Sequence, residues 1–404
     1  MKFIDGGITA PKGFMAGGMH CGIRPNKKKP DLMMLKSEVP CNAAGVYTSN
    51  LVKGASIEVC KNHLTDGVAQ AVIANSGNAN TCNSDGVEKA EKMAEAAASA
   101  LKIKAQDVLV ASTGVIGKPL PIEPILKAAP VLAKKLSKEG GDDAAKALMT
   151  TDTVPKNLAV EFMLGGHVVR LGGAAKGSGM IHPNMCTMLC FLTTDAAIST
   201  EALESALQES VKNSFNMISV DGDTSTNDTC CIMANGLAKN EPITTDGEDY
   251  QTFLKAMKML CTALCKMMAK DGEGATKLLA CRVAGASSDE NARIVAKTII
   301  CSSLVKAAMF GADANWGRVL CAIGYSGVPV DIHAVDVALR SKMGAIKVCK
   351  DGAGIDFDEE TAKKILLEDE IGIDVTLHDG DFEATAYGCD LTYDYVKING
   401  DYRT

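Results

Sequence analysis

Apolar residues recur with a helical period in six stretches of the chain. In 86–101 they follow the three-and-four spacing that gives an α-helix one apolar face, at Val87, Ala90, Met93, Ala94, Ala97, Ala98 and Leu101. Comparable patterns predict helices over 86–101, 122–136, 200–214, 248–270, 288–309 and 358–368. Two prolines, Pro124 and Pro130, are able to interrupt the second of these helices.

Short continuous apolar runs lie between these helices and are typical of buried strands. They predict strands at 71–74, 108–111, 167–171, 188–193 and 232–234. After about residue 285 the pattern changes to a long helix followed by shorter strands, at 319–325, 335–339, 346–350, 374–377 and 383–387. The mixture predicts a layered α/β or α+β architecture, divided into a unit over 1–285 and a C-terminal α/β domain over 286–404.

Composition excludes several classes of function. The 404 residues carry a net charge of −7, aromatic residues make up 4%, and the longest basic run is Lys27-Lys28-Lys29, so we expect no nucleic-acid partner. The N-terminus has no apolar region typical of a secretory signal. The most apolar long segment contains Lys297 and Lys306, which argues against a membrane span. We therefore expect a cytoplasmic protein with no membrane partner.

Fifteen cysteines invite a metal or disulfide interpretation, but their spacing argues against it. No two of them form a C-x-x-C pair, and Cys281, Cys301 and Cys321 each lie near aliphatic residues. We interpret the cysteines as small buried hydrophobic residues in a reducing compartment. His182 and Cys186 begin an i, i+4 series with Cys190, but the intervening proline argues against a helix, so we expect no metal site.

The segment KGSGMIHPNMCTMLCFLTTDA, residues 176–196, places Thr187 where a glycine-rich loop meets an apolar run. A threonine hydroxyl is a poor nucleophile unless a base lies beside it. Its own α-amine, with a pKa of about 8, would serve if the Cys186–Thr187 peptide bond were cut. From this spacing alone, a β-branched residue that begins a strand is the simpler interpretation.

Other polar residues are equally ambiguous when each is considered alone. In VLVASTGVIG, Thr113 and Gly114 follow a strand, where a hydroxyl and a free N–H could stabilise an oxyanion or simply form a turn. The run VDGDTSTND, residues 220–228, predicts a loop held by its own side chains. Four further residues have ordinary surface or capping interpretations: Lys176, Glu273, Asn399 and Thr404.

Together these segments resemble the ornithine acetyltransferase (glutamate N-acetyltransferase) family of arginine biosynthesis. The resemblance covers nearly the whole chain in one order, through TAPKGF, NSGNAN, STGVIG, MTTDTVPK, the 176–196 segment, VDGDTSTND, SSLVKAA, NWGR and the terminal NGDYRT. It implies an α+β fold, an αββα sandwich of the self-processing Thr-nucleophile type. It also implies self-cleavage between Cys186 and Thr187, and an assembly of two α and two β chains.

The resemblance also implies roles for individual residues. Thr187 matches the nucleophile, while Thr113 and Gly114 match the oxyanion-hole pair. The positions that match substrate-binding residues are Thr150, Lys176, Thr187, Glu273, Asn399 and Thr404. The residue before the scissile bond is usually alanine in this family and is Cys186 here.

The implied reaction moves acetyl from N2-acetyl-L-ornithine to L-glutamate through an acetyl-Thr187 intermediate, a ping-pong mechanism. No cofactor is expected, although acetyl-CoA is a possible co-substrate and would make the enzyme bifunctional. A related self-processing amidase or aminopeptidase, in which water is the acceptor, stays open as an alternative. A non-catalytic cysteine-rich binding or redox protein would leave the ordered set of motifs unexplained.

Overall fold

The computed structural model describes residues 1–26, 29–182 and 188–400. Within these ranges the strands are β1 Lys2–Ile4, β2 Phe14–Met19, β3 Leu32–Tyr47, β4 Val68–Asn78, β5 Val108–Val115, β6 Lys156–Leu164, β7 His167–Lys176, β8 Leu189–Thr194, β9 Ile218–Ser219, β10 Thr229–Ala234, β11 Leu278–Ala286, β12 Asp336–Ser341, β13 Gly344–Lys350, β14 Ala353–Gly354, β15 Glu370–Thr376 and β16 Phe382–Cys389. The helices are α1 Ala55–His63, α2 Gly86–Leu101, α3 Ile122–Ala133, α4 Gly141–Leu148, α5 Thr200–Lys212, α6 Glu248–Lys270, α7 Asp289–Cys301, α8 Ser303–Phe310, α9 Trp316–Gly324, α10 Glu359–Leu366 and α11 Tyr393–Asn399.

The first sheet is built mainly from the N-terminal half of the chain, in the order β1-β6-β7-β8-β10-β3-β4-β5, with β2 beside β3. In its middle, Lys176 at the end of β7 lies opposite Leu189 at the start of β8. Leu189 in turn lies opposite Thr229 at the start of β10. Three strand ends are therefore neighbours, and each is continuous with a polar loop.

Alternating side chains of this sheet enter two different cores. Leu189, Phe191 and Cys231 pack with α1 to α4, whereas Cys190 and Cys230 pack with α5 and α6. This alternation is the expected consequence of strand geometry, in which successive side chains point to opposite faces. Helices therefore cover both faces of the first sheet.

The second sheet has the order β14-β13-β12-β15-β11-β16-β9. Its core is formed with α7 to α10, and α6 contacts strands of both sheets. The fold is therefore α+β, as the sequence predicts. The predicted division at residue 285 falls within β11, which pairs with β15 and β16 in the second sheet; the division into two units stays a prediction.

Most predicted elements are present, but two predictions are wrong. The sequence predicts a strand over 319–325, but residues 319–324 belong to α9, which buries Val319, Ala322 and Ile323 at helical spacing. The helix expected over 288–309 is two helices, because the Ser302 side chain accepts from the Val305 N–H and begins α8. The prolines do not interrupt the second predicted helix, since α3 continues through Pro130.

Most of the described cysteines are buried and all of them are free thiols, as the sequence indicates. Cys321 is an exception, because it lies on the exposed side of α9. Across the described ranges, we find no helix with the length and apolarity needed to cross a membrane.

Candidate active site

A cavity of about 110 Å³ lies beside the neighbouring ends of β7, β8 and β10. It is lined by every predicted site residue that the structure describes, namely Thr113, Gly114, Thr150, Lys176, Glu273 and Asn399. Met188, which follows Thr187 in the chain, also lines it. Cys186, Thr187 and Thr404 lie outside the described residues. Residues separated by up to 286 positions along the chain thus border one space.

Gly114 ends the apolar part of β5 in a conformation that requires glycine. Its φ of 130° is rarely adopted by residues with a side chain, and a Cβ there would lie 2.3 Å from the carbonyl carbon of Gly77. The parallel pairing of Gly77 with Gly114 causes this close approach. Thr113 is consequently held at the cavity wall by a rigid turn.

Asn227 fixes this turn from the opposite side and is a residue that the sequence reasoning did not single out. Its amide Nδ2 donates to the carbonyl oxygens of Ser112, at 2.9 Å, and Ala79, at 2.6 Å. Its Oδ1 accepts from the hydroxyls of Thr81 and Thr226. Within the loop, the Asp223 N–H donates to Asp221 Oδ1 and the Asn227 N–H donates to Ser225 Oγ. The predicted self-braced loop is thus confirmed, and Asn227 braces the Thr113–Gly114 turn as well.

Lys176 is 7% exposed, and its charge is balanced by a buried network. Its Nζ lies 3.9 Å from Asp152 Oδ2, while Asp152 Oδ1 accepts from Lys156 Nζ and the Gly177 N–H, both at 2.7 Å. Lys156 Nζ also donates to Asp271 Oδ2 at 2.6 Å. Two ammonium groups and two carboxylates thus hold Lys176 and the loop after β7 in place.

The pKa values in this network follow from burial and charge. Burial opposes ionisation of Asp152, but the ammonium groups of Lys176 and Lys156 outweigh it and hold the pKa of Asp152 well below its ordinary value. Burial lowers the pKa of Lys176, and Asp152 opposes that shift. The cavity therefore has a fixed carboxylate behind an ammonium group that faces it.

Glu273 and Asn399 meet on another wall of the cavity. Asn399 Nδ2 donates to Glu273 Oε2 at 2.7 Å, although Asn399 is the last residue of α11, near the C-terminus. Thr392 caps α11 and also donates its hydroxyl to the Gly274 carbonyl, which anchors this helix beside Glu273. Gly179 permits the arrangement, since a Cβ there would lie within 2.4 Å of the Glu273 carboxyl.

His182 lies apart from these groups. It lines a second cleft together with Lys297 and Cys301, and its Nδ1 is 3.2 Å from Ser219 Oγ. Burial lowers the pKa of His182 to about 4, with Lys297 adding to the effect. His182 is therefore neutral near pH 7.

The cavity thus presents the Thr113 hydroxyl on a rigid turn, an ammonium group and a carboxylate within one small volume. The family of the chain follows from its similarity to known proteins. The model of the ArgJ family matches residues 15–404. The chain belongs to the ArgJ family. Its membership confirms the resemblance to the ornithine acetyltransferases of arginine biosynthesis.

Relatives match the chain over its full length. The arginine biosynthesis bifunctional protein ArgJ of Caldanaerobacter subterraneus is 50% identical over 100% of both chains. The protein of the same name from Bacillus subtilis is 47% identical over 99% of this chain and 97% of its own. A crystal structure of the argJ bifunctional protein from Bacillus halodurans aligns with a TM-score of 0.50 and 49% identity, covering 52% of this chain and 97% of the solved one.

Proposed function

We infer that this chain is a glutamate N-acetyltransferase of arginine biosynthesis, which moves acetyl from N2-acetyl-L-ornithine to L-glutamate. The observation that carries this inference is the convergence of six predicted site residues on one cavity. These residues are drawn from positions 113 to 399, a stretch of chain that contributes strands to both sheets. An unrelated fold would not be expected to bring them to one cavity. The family membership supports the same reaction.

The chemistry is acyl transfer through a covalent intermediate. Thr187 attacks the acetyl carbonyl, and its α-amine, freed by cleavage after Cys186, accepts the hydroxyl proton. The oxyanion that forms is stabilised by the Thr113 hydroxyl and the Gly114 N–H. Ornithine departs, and the amine of glutamate attacks acetyl-Thr187 to give N-acetylglutamate.

The charged walls of the cavity suit a substrate that is an amino acid. Lys176 pairs with the α-carboxylate, while Glu273, positioned by Asn399, pairs with a cationic amine. Thr150 and Thr404 complete the binding site, as the family resemblance implies. Ornithine and glutamate share an α-carboxylate, so one site serves both halves of a ping-pong reaction.

Cleavage also bears on the fold and assembly that we propose. The solved argJ chain from Bacillus halodurans is about half as long as this chain, a length that suits one piece of a cleaved precursor. We propose the αββα sandwich of self-processing Thr-nucleophile enzymes, with a catalytic unit over 1–285 and a domain over 286–404. We also propose two α and two β chains per assembly.

We place the enzyme in the cytoplasm and expect no bound cofactor.

The proposed function is tested by incubating the purified protein with N-acetylornithine and glutamate. Equimolar appearance of ornithine and N-acetylglutamate is the expected result. Release of acetate without N-acetylglutamate would instead establish the amidase alternative. A parallel reaction with acetyl-CoA as donor determines whether the enzyme is bifunctional.

Thr113→Ala is expected to lower kcat by about 10²–10³-fold, because it removes one donor to the oxyanion that forms in the transition state. KM should change much less, since the donor contributes little to ground-state binding. Steady-state kinetics of acetyl transfer provide the measurement. Thr113→Ser is the matched control, because it keeps the hydroxyl and should retain most of the rate. An unchanged kcat in the alanine variant would place the oxyanion hole elsewhere.

A further inference from the structure

Asp228 is a buried carboxyl on the cavity wall for which the mechanism above has no use. It is 1% exposed, and it lines the same cavity as Lys176 and Glu273. Among the described residues, its Oδ2 is buried without a hydrogen-bond partner. Leaving a buried polar atom unsatisfied costs stability, so its presence here calls for a role.

The backbone holds Asp228 beside Met188. We call the part of the cavity that Met188 lines the reacting end. Its carbonyl oxygen accepts from the Thr48 N–H at 3.0 Å, and the next N–H, that of Thr229, donates to the Met188 carbonyl at 2.8 Å. Met188 is the residue that follows the proposed nucleophile. Asp228 is thus fixed across from the first residues of β8 by two main-chain hydrogen bonds, one on each side of its own peptide unit.

The surroundings of the Asp228 carboxyl favour its neutral form. Burial raises the pKa of Asp228 well above its ordinary value. The hydroxyls of Ser225 and Thr48, the ammonium group of Lys176 and the Met188 N–H oppose this shift without cancelling it. Lys176 and Glu273 are the other charged side chains that line the cavity, within the described part of the chain. Such a carboxyl can hold a proton that an ordinary aspartate would have lost.

We propose that Asp228 exchanges a proton through Oδ2 with the primary amine at the reacting end of the cavity. This proposal rests on the proposed function. This amine is the amino group of the substrate, which leaves as ornithine in the first half of the reaction and attacks as glutamate in the second. The unpartnered oxygen, its burial and its place beside Met188 all point to the same ligand, a group that both donates and accepts protons.

The protons balance in each half of the reaction. As the C–N bond of acetylornithine breaks and the C–O bond to the nucleophile forms, Asp228 gives its proton to the departing nitrogen. The hydroxyl proton, held meanwhile by the α-amine, returns to the Asp228 carboxylate. In the second half the steps reverse: the glutamate nitrogen loses one proton and the departing hydroxyl oxygen gains one. Asp228 ends each half as it began.

Asp228→Asn tests the proposal, because asparagine has nearly the same shape as the neutral carboxyl but cannot exchange a proton. The variant should fold, because asparagine replaces the neutral carboxyl that the buried position favours. It also cannot ionise, whereas the wild-type carboxyl costs stability as the pH rises toward its raised pKa. We expect kcat for acetylornithine to fall by about 10²–10⁴-fold while KM changes only a few-fold. Asp374→Asn is the matched control: Asp374 in β15 also has a buried oxygen without a partner, but it lies in the second sheet, and its variant should retain the wild-type rate.

Two donors test whether the substrate amine is the partner of Asp228. Acetylornithine releases an amine that needs a proton, whereas p-nitrophenyl acetate releases a phenolate that needs none. Loss of rate with acetylornithine alone is the expected result. Equal loss with both donors would contradict the proposal. Wild-type rates with both donors would overturn the proposal, whereas an inactive wild-type protein would overturn the proposed function instead.

Ser225→Ala provides a second test that does not alter Asp228. The Ser225 hydroxyl lowers the pKa of Asp228, so its removal should raise that pKa further. The limb of the pH–rate profile that reports Asp228 should therefore move to higher pH with acetylornithine as donor. A profile that coincides with that of the wild type would show that Asp228 does not titrate in the reaction and would contradict the proposal.

Discussion

Thr187→Ala is expected to give a single uncut chain with no measurable acetyl transfer. Without the hydroxyl, the chain can neither shift the Cys186 acyl group from nitrogen to oxygen nor form acetyl-Thr187. Removing a nucleophile of this kind lowers kcat on the order of 10⁶-fold, so the residual rate falls below detection. Denaturing gel electrophoresis and the acetyl-transfer assay measure the two effects separately.

Thr187→Ser is the matched control for this variant. Serine keeps a hydroxyl beside the same α-amine, so the chain should still cleave and should retain part of its transferase activity. An alanine variant that transfers acetyl while uncut would show that another residue is the nucleophile. A serine variant as inactive as alanine would indicate that the methyl group, and hence packing, is what the site requires.

Lys156→Met is expected to cost about 3–5 kcal/mol of stability, the largest effect on folding among the residues around the cavity. Lys156 is fully buried, and its Nζ lies within 2.7 Å of both Asp152 and Asp271. Removing this cation leaves two buried carboxylates without their shared partner. The free energy of unfolding by urea, compared with that of the wild type, measures the loss.

Lys92→Met is the matched control, because Lys92 also bonds a carboxylate but does so on the surface of α2. Its pair with Glu88 is exposed to solvent, so its loss should change the free energy of unfolding far less than the loss of Lys156 does. The difference in stability between the wild type and the Lys156 variant should shrink as the pH falls below the ordinary range of a carboxyl group. The lysines hold the pKa of Asp152 low, and the wild type loses that stabilisation in acid, whereas the variant already lacks the part due to Lys156. Equal stability of the two methionine variants would contradict the importance of the buried network.

The sequence predicts the helices best where one apolar face repeats over several turns. α2 and α6 have the predicted bounds, 86–101 and 248–270, because their buried residues recur for four turns or more. The short run 319–325 resembles a strand because its apolar residues are consecutive in the sequence, as in a buried strand, even though the buried ones also fit helical spacing. The N-cap at Asn315, whose side chain accepts from the Arg318 N–H, would have indicated the helix.

The candidate site was predictable from family motifs rather than from local pattern. Thr113, Lys176 and Glu273 each have ordinary local interpretations. They indicate a site only because all three line the same cavity. Asn227 and Asp228 were missed because their roles depend on contacts across the fold. Asn227, for example, bonds the Ala79 carbonyl 148 residues away, and such pairs leave no signal in periodicity.

The central claim, that the chain cuts itself to create its nucleophile, is tested most directly by the intact mass of the purified protein under denaturing conditions, with N-terminal sequencing of each piece. Self-cleavage predicts fragments of about 19 and 23 kDa, the shares of the 42.3 kDa chain on either side of the Cys186–Thr187 bond, and the larger fragment should begin TMLCFL. A single 42.3 kDa chain that nonetheless transfers acetyl would contradict it.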